Sequence, residues 1–342
     1  MRFRFLVVLI ALAVATLTVL APAASADRPH TTTIHYDSFD GTDYGIDDYF
    51  EKWNNGFGPG EMAVDDTRTF NGDTFHVGAL PFQTAIDFSV FDHIKYLALS
   101  NESFAVPDRG SVAFSATIDA VTEGTDPAGR VIHGVYGPAG CADDPVCAAS
   151  ADPWEGLALE GQQAGATLHM IDFQTGQLFD WFVSGSTAFA LVERLPATVI
   201  GSPDGGVRET MYTQIVREVP IAPGPHTVEI RFFRVPGESH VDFILDGVRV
   251  ARVNRVGIPL DAQHRPYTGI YPSLGDGELL GNQLDQVTIG HGLFSLLDAF
   301  PFQHPDAPEL SVSVPISERI FGQGAAANFD DFVVTTTHLD RP

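Results

Sequence analysis

The sequence predicts an all-β protein built as an antiparallel two-sheet sandwich, and three observations carry that expectation. Short runs of alternating apolar and polar residues recur between clusters of Gly, Pro, Asn and Asp, the period of strands with one buried face. Almost nothing in the chain has the 3.6-residue period of a long amphipathic helix. One segment, HVDFILDGVRVARV, sets Asp246-Gly247 between two β-forming runs. Asp-Gly is a strong hairpin signal, because a type I′ turn needs positive φ at both central residues.

Taken in order, the chain opens MRFRFLVVLIALAVATLTVLAPAASA. Arg2 and Arg4, the apolar run Leu6 to Leu20 and the Ala24-Ser25-Ala26 site read as a cleaved secretory signal peptide over residues 1–26, the alternative being an N-terminal anchor. No later stretch approaches the ~18 apolar residues that a membrane helix requires. Residues 27–342 are therefore expected to be secreted, without membrane insertion. Aromatics at 11% and hydrophobics at 44% suffice for a large core. The Pro/Gly-rich segments 127–153 and 261–281 read as loop insertions within one domain; a second boundary at GSPDGG, residues 201–206, is the alternative.

Cys141 and Cys147, in CADDPVC, are the two cysteines of the chain. In an exported protein this spacing predicts a small loop-closing disulfide, with free thiols as the alternative. The formal charge of −25 repels phosphate backbones and anionic lipid, which argues against nucleic acid or a membrane surface as partner. The oligomeric state is left open.

The strands follow. Ser111 to Ala120 alternates Val112, Phe114, Ala116 and Ile118 against small or polar residues, and His226 to Phe232 does the same with Val228, Ile230 and Phe232. Such strands suit antiparallel sheets packed on one face. With the turn Val235-Pro236-Gly237-Glu238 and the Asp246-Gly247 hairpin, residues 226–253 read as a three-stranded meander. The two ends resemble each other, YDSFDG from Tyr36 and NFDDFVVTT from Asn328, and the terminal strands are expected to lie side by side.

The opening YDSFDG, the meander HTVEIRFFRVPGESHVDFILDGVRV and the closing NFDDFVV together resemble the concanavalin A-like lectin/glucanase superfamily. That resemblance implies a jelly roll of two antiparallel sheets, with a polysaccharide or glycan site on the concave one. The segment Thr167 to Pro196 resembles one shared by a family of uncharacterised secreted bacterial proteins. Laminarinase-like members of the fold carry Glu-x-Asp-x-x-Glu on one strand, and no such string occurs here. The nearest fragment, WEGLALEG from Trp154, spaces Glu155 and Glu160 by five, which sends them to opposite faces of a regular strand.

The candidate site lies in IDFQTGQLFDWF, Ile171 to Phe182. If the hairpin turns through Gln174-Thr175-Gly176, Asp172 faces Leu178 and Asp180 faces Met170, so both acids share a face and His169 pairs with Trp181 on the other. If it turns through Thr175-Gly176 alone, the acids part, because a one-residue slip inverts every side chain. The three-residue loop is favoured because Thr-Gly is not a type I′ pair. Glu193 joins Asp180 if the next turn has two residues, and Trp181 if it has three. Asp172, Asp180 and Glu193 are accordingly the acids of any glycoside-cleaving mechanism, which needs carboxyls about 5–9.5 Å apart. His169, Trp181 and Arg194 are the candidate ligand contacts. Ordinary packing of a half-buried hairpin explains the same residues equally well.

No histidine run has metalloenzyme spacing. With the termini paired, Asp40 and Asp330 could share a hard cation, since Ca²⁺ takes oxygen ligands; related jelly rolls hold a structural Ca²⁺ there, as the resemblance implies. The leading expectation is a noncatalytic glycan-binding domain. A polysaccharide hydrolase or lyase is the second reading and an extracellular structural or interaction domain the third.

Overall fold

The computed structural model describes residues 29–41, 43–54, 67–82, 93–138, 140–194, 212–253, 284–297, 312–318 and 322–340, with the side chains of 194 and 212–214 also outside the description. The signal-peptide segment 1–26, the GSPDGG boundary and the loop 261–281 lie outside the described residues.

The strands in chain order are β1 His30–Asp37, β2 Trp53–Asn54, β3 Thr67–Phe70, β4 Phe75–Ala79, β5 Ile94–Ala105, β6 Gly110–Glu123, β7 Val131–Tyr136, β8 Asp152–Leu157 and β9 Gly165–Asp172. They continue as β10 Gln177–Val183, β11 Thr187–Arg194, β12 Tyr212–Pro220, β13 His226–Val235, β14 Glu238–Leu245, β15 Val248–Val253, β16 Gln286–Phe294, β17 Val312–Ser313 and β18 Gly324–His338. Two short α-helices lie among the described residues, α1 Ile46–Lys52 and α2 Pro145–Ala148. Among the described residues, one sheet runs β15-β14-β13-β6-β18-β4-β3 with β1 also on β18, a second runs β12-β11-β10-β9-β16-β5-β2, and a small third runs β17-β7-β8. The two large antiparallel sheets pack as the all-β jelly-roll sandwich expected from the sequence.

Alternation decides which side chains enter the core. Val112, Phe114, Ala116 and Ile118 of β6 and Val228, Ile230 and Phe232 of β13 all lie in the main buried cluster between the sheets. The opposing sheet supplies Leu168, Met170, Phe179 and Trp181. The Trp181 indole N–H donates to Glu229 O at 2.9 Å, a bond that crosses from one large sheet to the other. The meander forms as predicted: Leu245 pairs with Val248, and Asp246 and Gly247 between them have φ of 49° and 75°. Val235 pairs with Glu238 around Pro236 and Gly237.

The ends are tied together. β1 runs antiparallel to β18, with Ile34 opposite Val334. Where β1 ends, the buried Asp37 carboxylate accepts from the Phe39 amide at 3.2 Å, Tyr44 Oη at 2.7 Å, Lys52 Nζ at 2.9 Å and Trp53 Nε1 at 2.8 Å. The YDSFDG signature is thereby explained by structure: its first acid gathers the loop, α1 and β2 around one carboxylate.

A second apolar cluster covers the outer face of the seven-stranded sheet. It joins Phe182, Phe189, Leu191 and Phe294 of that sheet to Ile132 of β7, Trp154 of β8 and Val312 of β17. The Pro127–Pro153 segment, expected as a plain loop, thus contributes a strand to a cap. The predicted disulfide between Cys141 and Cys147 is present; it staples the β7–β8 connection, and the Ala142 amide bonds Ser313 Oγ of β17 at 3.0 Å.

Candidate functional site

The register of the β9–β10 hairpin places every candidate residue. Asp172 is opposite Gln177, Met170 opposite Phe179, and His169 opposite Asp180. The loop therefore contains four residues, Phe173 to Gly176, and the expected three-residue loop is corrected. Asp172 causes the longer turn. Its carbonyl accepts from the Gly176 amide at 2.8 Å, Oδ1 accepts from the Gln174 amide at 3.0 Å, and Oδ2 accepts from Thr175 Oγ1. Asp and Thr side chains compete for local backbone donors in this way; an Asp-x-x-Thr-Gly string was the signal for it.

With an odd register the two acids part. Asp172 shares the inward face with Met170, Phe179 and Trp181, so it does not join Asp180. Burial pushes its carboxyl up, while the turn's hydrogen bonds oppose the shift. Trp181 is 0% exposed and is not placed to stack on a sugar. His169, expected beside Trp181, lies on the outer face beside Asp180. The side chain of Arg194 lies outside the described residues.

The next turn has two residues. Ser184 N–H donates to Thr187 O at 2.8 Å around Gly185-Ser186, and Asp180 pairs with Leu191 and Leu178 with Glu193. Glu193 therefore falls on the Asp180 face. Three neighbouring strands, β9, β10 and β11, set His169, Asp180 and Glu193 in one slanting row, His169 directly opposite Asp180 and Glu193 diagonal to it.

The row is closed off. His169 and Asp180 are 2% and 1% exposed, joined by a 2.6 Å bond between Nδ1 and Oδ1, and His169 packs on the Phe294 ring. Among the described residues, His169 Nε2, Asp180 Oδ2 and, two residues along β9, Thr167 Oγ1 have no hydrogen-bond partner. Burial pushes the His169 imidazole down to about 4, against the raising influence of Glu193. Burial also pushes the Asp180 carboxyl well up, with a hydrogen bond from Glu193 opposing. Both groups are thus driven toward their neutral forms. Chemically, the row holds an acid whose burial favours its protonated form beside a half-buried Glu193.

Outside this row, His291 is hydrogen-bonded inside the core: Nε2 lies 3.0 Å from Tyr49 Oη, which lies 2.5 Å from Tyr96 Oη. Asp40 and Asp330 interact across the joined termini. Asp330 is pushed up to about 6 by partial burial and by the charges of Asp331, Asp40 and Asp73. Among the described residues, no group of three or more His, Cys, Asp or Glu side chains is arranged to hold a metal ion. No helix among them is long and apolar enough to cross a membrane.

A family of unknown function, DUF6081, matches residues 137–338, a span from the cap through the paired C-terminal strand. The chain belongs to that family. The DUF6081 match covers the whole His169–Asp180–Glu193 row. No curated protein matches the chain in sequence. Among solved structures, an endo-1,3-β-glucanase from Streptomyces sioyaensis is similar at a TM-score of 0.41 and 12% identity, over 94% of this chain and 100% of that one. β-Agarase B from Zobellia galactanivorans gives 0.44 and 10%, over 91% and 95%. A winged bean acidic lectin gives 0.35 and 10%, over 91% and 100%. These are likenesses of fold and decide nothing about activity.

Proposed function

We propose that this chain is a secreted glycan-recognition jelly roll that does not cleave its ligand. The observation that carries the reading is the sealed row: His169 and Asp180 are 2% and 1% exposed beneath the β7–β8–β17 cap, and Asp172 is spent on a turn. A cleaving enzyme needs its acid and its base or nucleophile on either side of a bound sugar. The glycan half of the reading is an analogy of fold, supported by YDSFDG, the late meander and NFDDFVV. Secretion is supported by the leader sequence and the Cys141–Cys147 disulfide.

The second reading, a polysaccharide hydrolase or lyase, is favoured by one observation. Three titratable side chains stand on one sheet face, and burial raises the Asp180 carboxyl in the direction a general acid needs. One experiment separates the readings: the mature chain is offered a polysaccharide panel, and both retention and new reducing ends are measured. Retention without reducing ends is expected. Reducing ends that vanish in Asp180→Asn or Glu193→Gln would establish the enzyme. Neither retention nor reducing ends would leave the structural or interaction role.

A further inference from the structure

Where β5 passes into β6, at one end of the sandwich, an open pocket of about 790 Å³ is bounded by the 105–109 segment, Pro236 and the end of β18. Its size is that of a small-ligand site. Pro107, Pro236 and Leu339 give it apolar walls, and Asp108, Arg109 and His338 give it polar groups.

The pocket is held rigid from behind. The buried Arg234 donates through Nε to Pro107 O at 3.2 Å, through Nη2 to Val106 O and Pro107 O at 3.1 Å each, and through Nη1 to Leu284 O at 3.0 Å. On the other side Gly110, at φ +136°, lets β6 press on β18; a Cβ there would lie 1.8 Å from Thr337 O. The Leu339 amide then reaches Arg109 O at 2.9 Å, which fixes Arg109 next to His338.

Arg109 Nε is shut off from solvent, with no hydrogen-bond partner among the described residues. The Asp108 carboxylate stands fully in solvent, its Oδ1 3.9 Å from Arg234 Nη2. Two guanidinium groups against one carboxylate make a locally cationic spot on a chain of formal charge −25. Resting on the glycan-recognition reading, we infer that this pocket binds a terminal uronic acid residue. The sugar carboxylate is held by the Nη edge of the Arg109 guanidinium, since Nε is closed to the pocket. Ring hydroxyls meet Asp108 and His338, and the ring carbons lie on Pro107 and Pro236.

The test is titration calorimetry of the mature chain with a glucuronate-terminated disaccharide and its neutral glucose-terminated counterpart, run beside the polysaccharide panel. The acidic sugar should bind at least tenfold more tightly, and Arg109→Gln should remove that difference. In the unaltered chain, the His338 imidazole NMR signal should move with the acidic sugar and stay still with the neutral one. Equal binding of the two sugars, full affinity in Arg109→Gln, or a stationary His338 would overturn the pocket while leaving glycan recognition intact. Absence of any glycan binding in both assays would overturn the two together.

Discussion

His169 Nδ1 and Asp180 Oδ1 face each other at 2.6 Å across β9 and β10, in a position where neither ring nor carboxyl meets solvent. The pair titrates as a unit. Taken alone, His169, lowered from 6.5 to about 4, loses stability as pH falls through that window. Asp180, raised from 3.8, loses stability as pH rises above that value. Between about pH 4 and 6.5 the unfolded pair holds one proton, on histidine, and the folded pair also holds one. The two effects cancel there, and above pH 6.5 the unfolded state sheds the proton that the folded pair keeps. Asp180→Asn removes that alkaline penalty. Its Tm relative to wild type should rise with pH from about 4.5 upward, because the variant keeps the His169 effect and loses the opposing Asp180 effect; a constant difference across the whole range would contradict a raised Asp180 carboxyl.

Asp37 is the opposite case, a buried carboxylate with four donors. Asp37→Ala strands Trp53 Nε1 and breaks the Lys52 pair, and should cost about 3–5 kcal/mol in urea unfolding. Lys52→Met should cost less than about 1 kcal/mol, since its side chain is 41% exposed. Equal losses would mean that the ion pair, not the hub, holds the end of β1.

The fold was legible wherever one face of a strand is buried. The β6 and β13 alternations named their inward residues, and Asp246-Gly247 named its turn, because period and φ leave few choices. The site was legible only as far as turn length allowed. His169, Asp180 and Glu193 were all candidates, but Asp172-x-x-Thr175-Gly176 makes a side-chain-stabilised turn of four residues, and that reversed which acids meet. The cap was not legible, because whether β7 and β8 cover the outer face depends on contacts distant in sequence. Pocket residues such as Arg109 and Pro236 likewise meet through the pairing of β6 with β13, distant in sequence.

Asp330 offers a test of the calcium proposal. Its carboxyl, raised from 3.8 to about 6, releases its proton later in the folded chain, so stability is lost as pH rises from about 4 to 6. The side chain is only partly buried, so screening limits the penalty to about 1 kcal/mol. Asp330→Asn should raise Tm by roughly 1–3 °C at pH 7.5 and leave it unchanged at pH 4. Calcium shared with Asp40 should raise the wild-type Tm at pH 7.5 and do nothing to the variant. No response of the wild type at millimolar calcium would dispose of the cation.

The cap makes the sharpest claim, because it decides between binding and cleavage. Trp154 of β8, 5% exposed, belongs to the cluster that roofs the row. Diethylpyrocarbonate should modify the exposed His30 and His338 quickly and leave His169 untouched, as read by peptide mass spectrometry. Trp154→Ala should cost about 3–5 kcal/mol and open His169 to the reagent. His291, on the other face and bonded to Tyr49, should stay protected and so report that the sandwich is still folded. Rapid modification of His169 in the unaltered chain would mean that the cap lifts in solution. The row would then be reachable by a sugar, and the enzyme reading would take precedence over the lectin-like one.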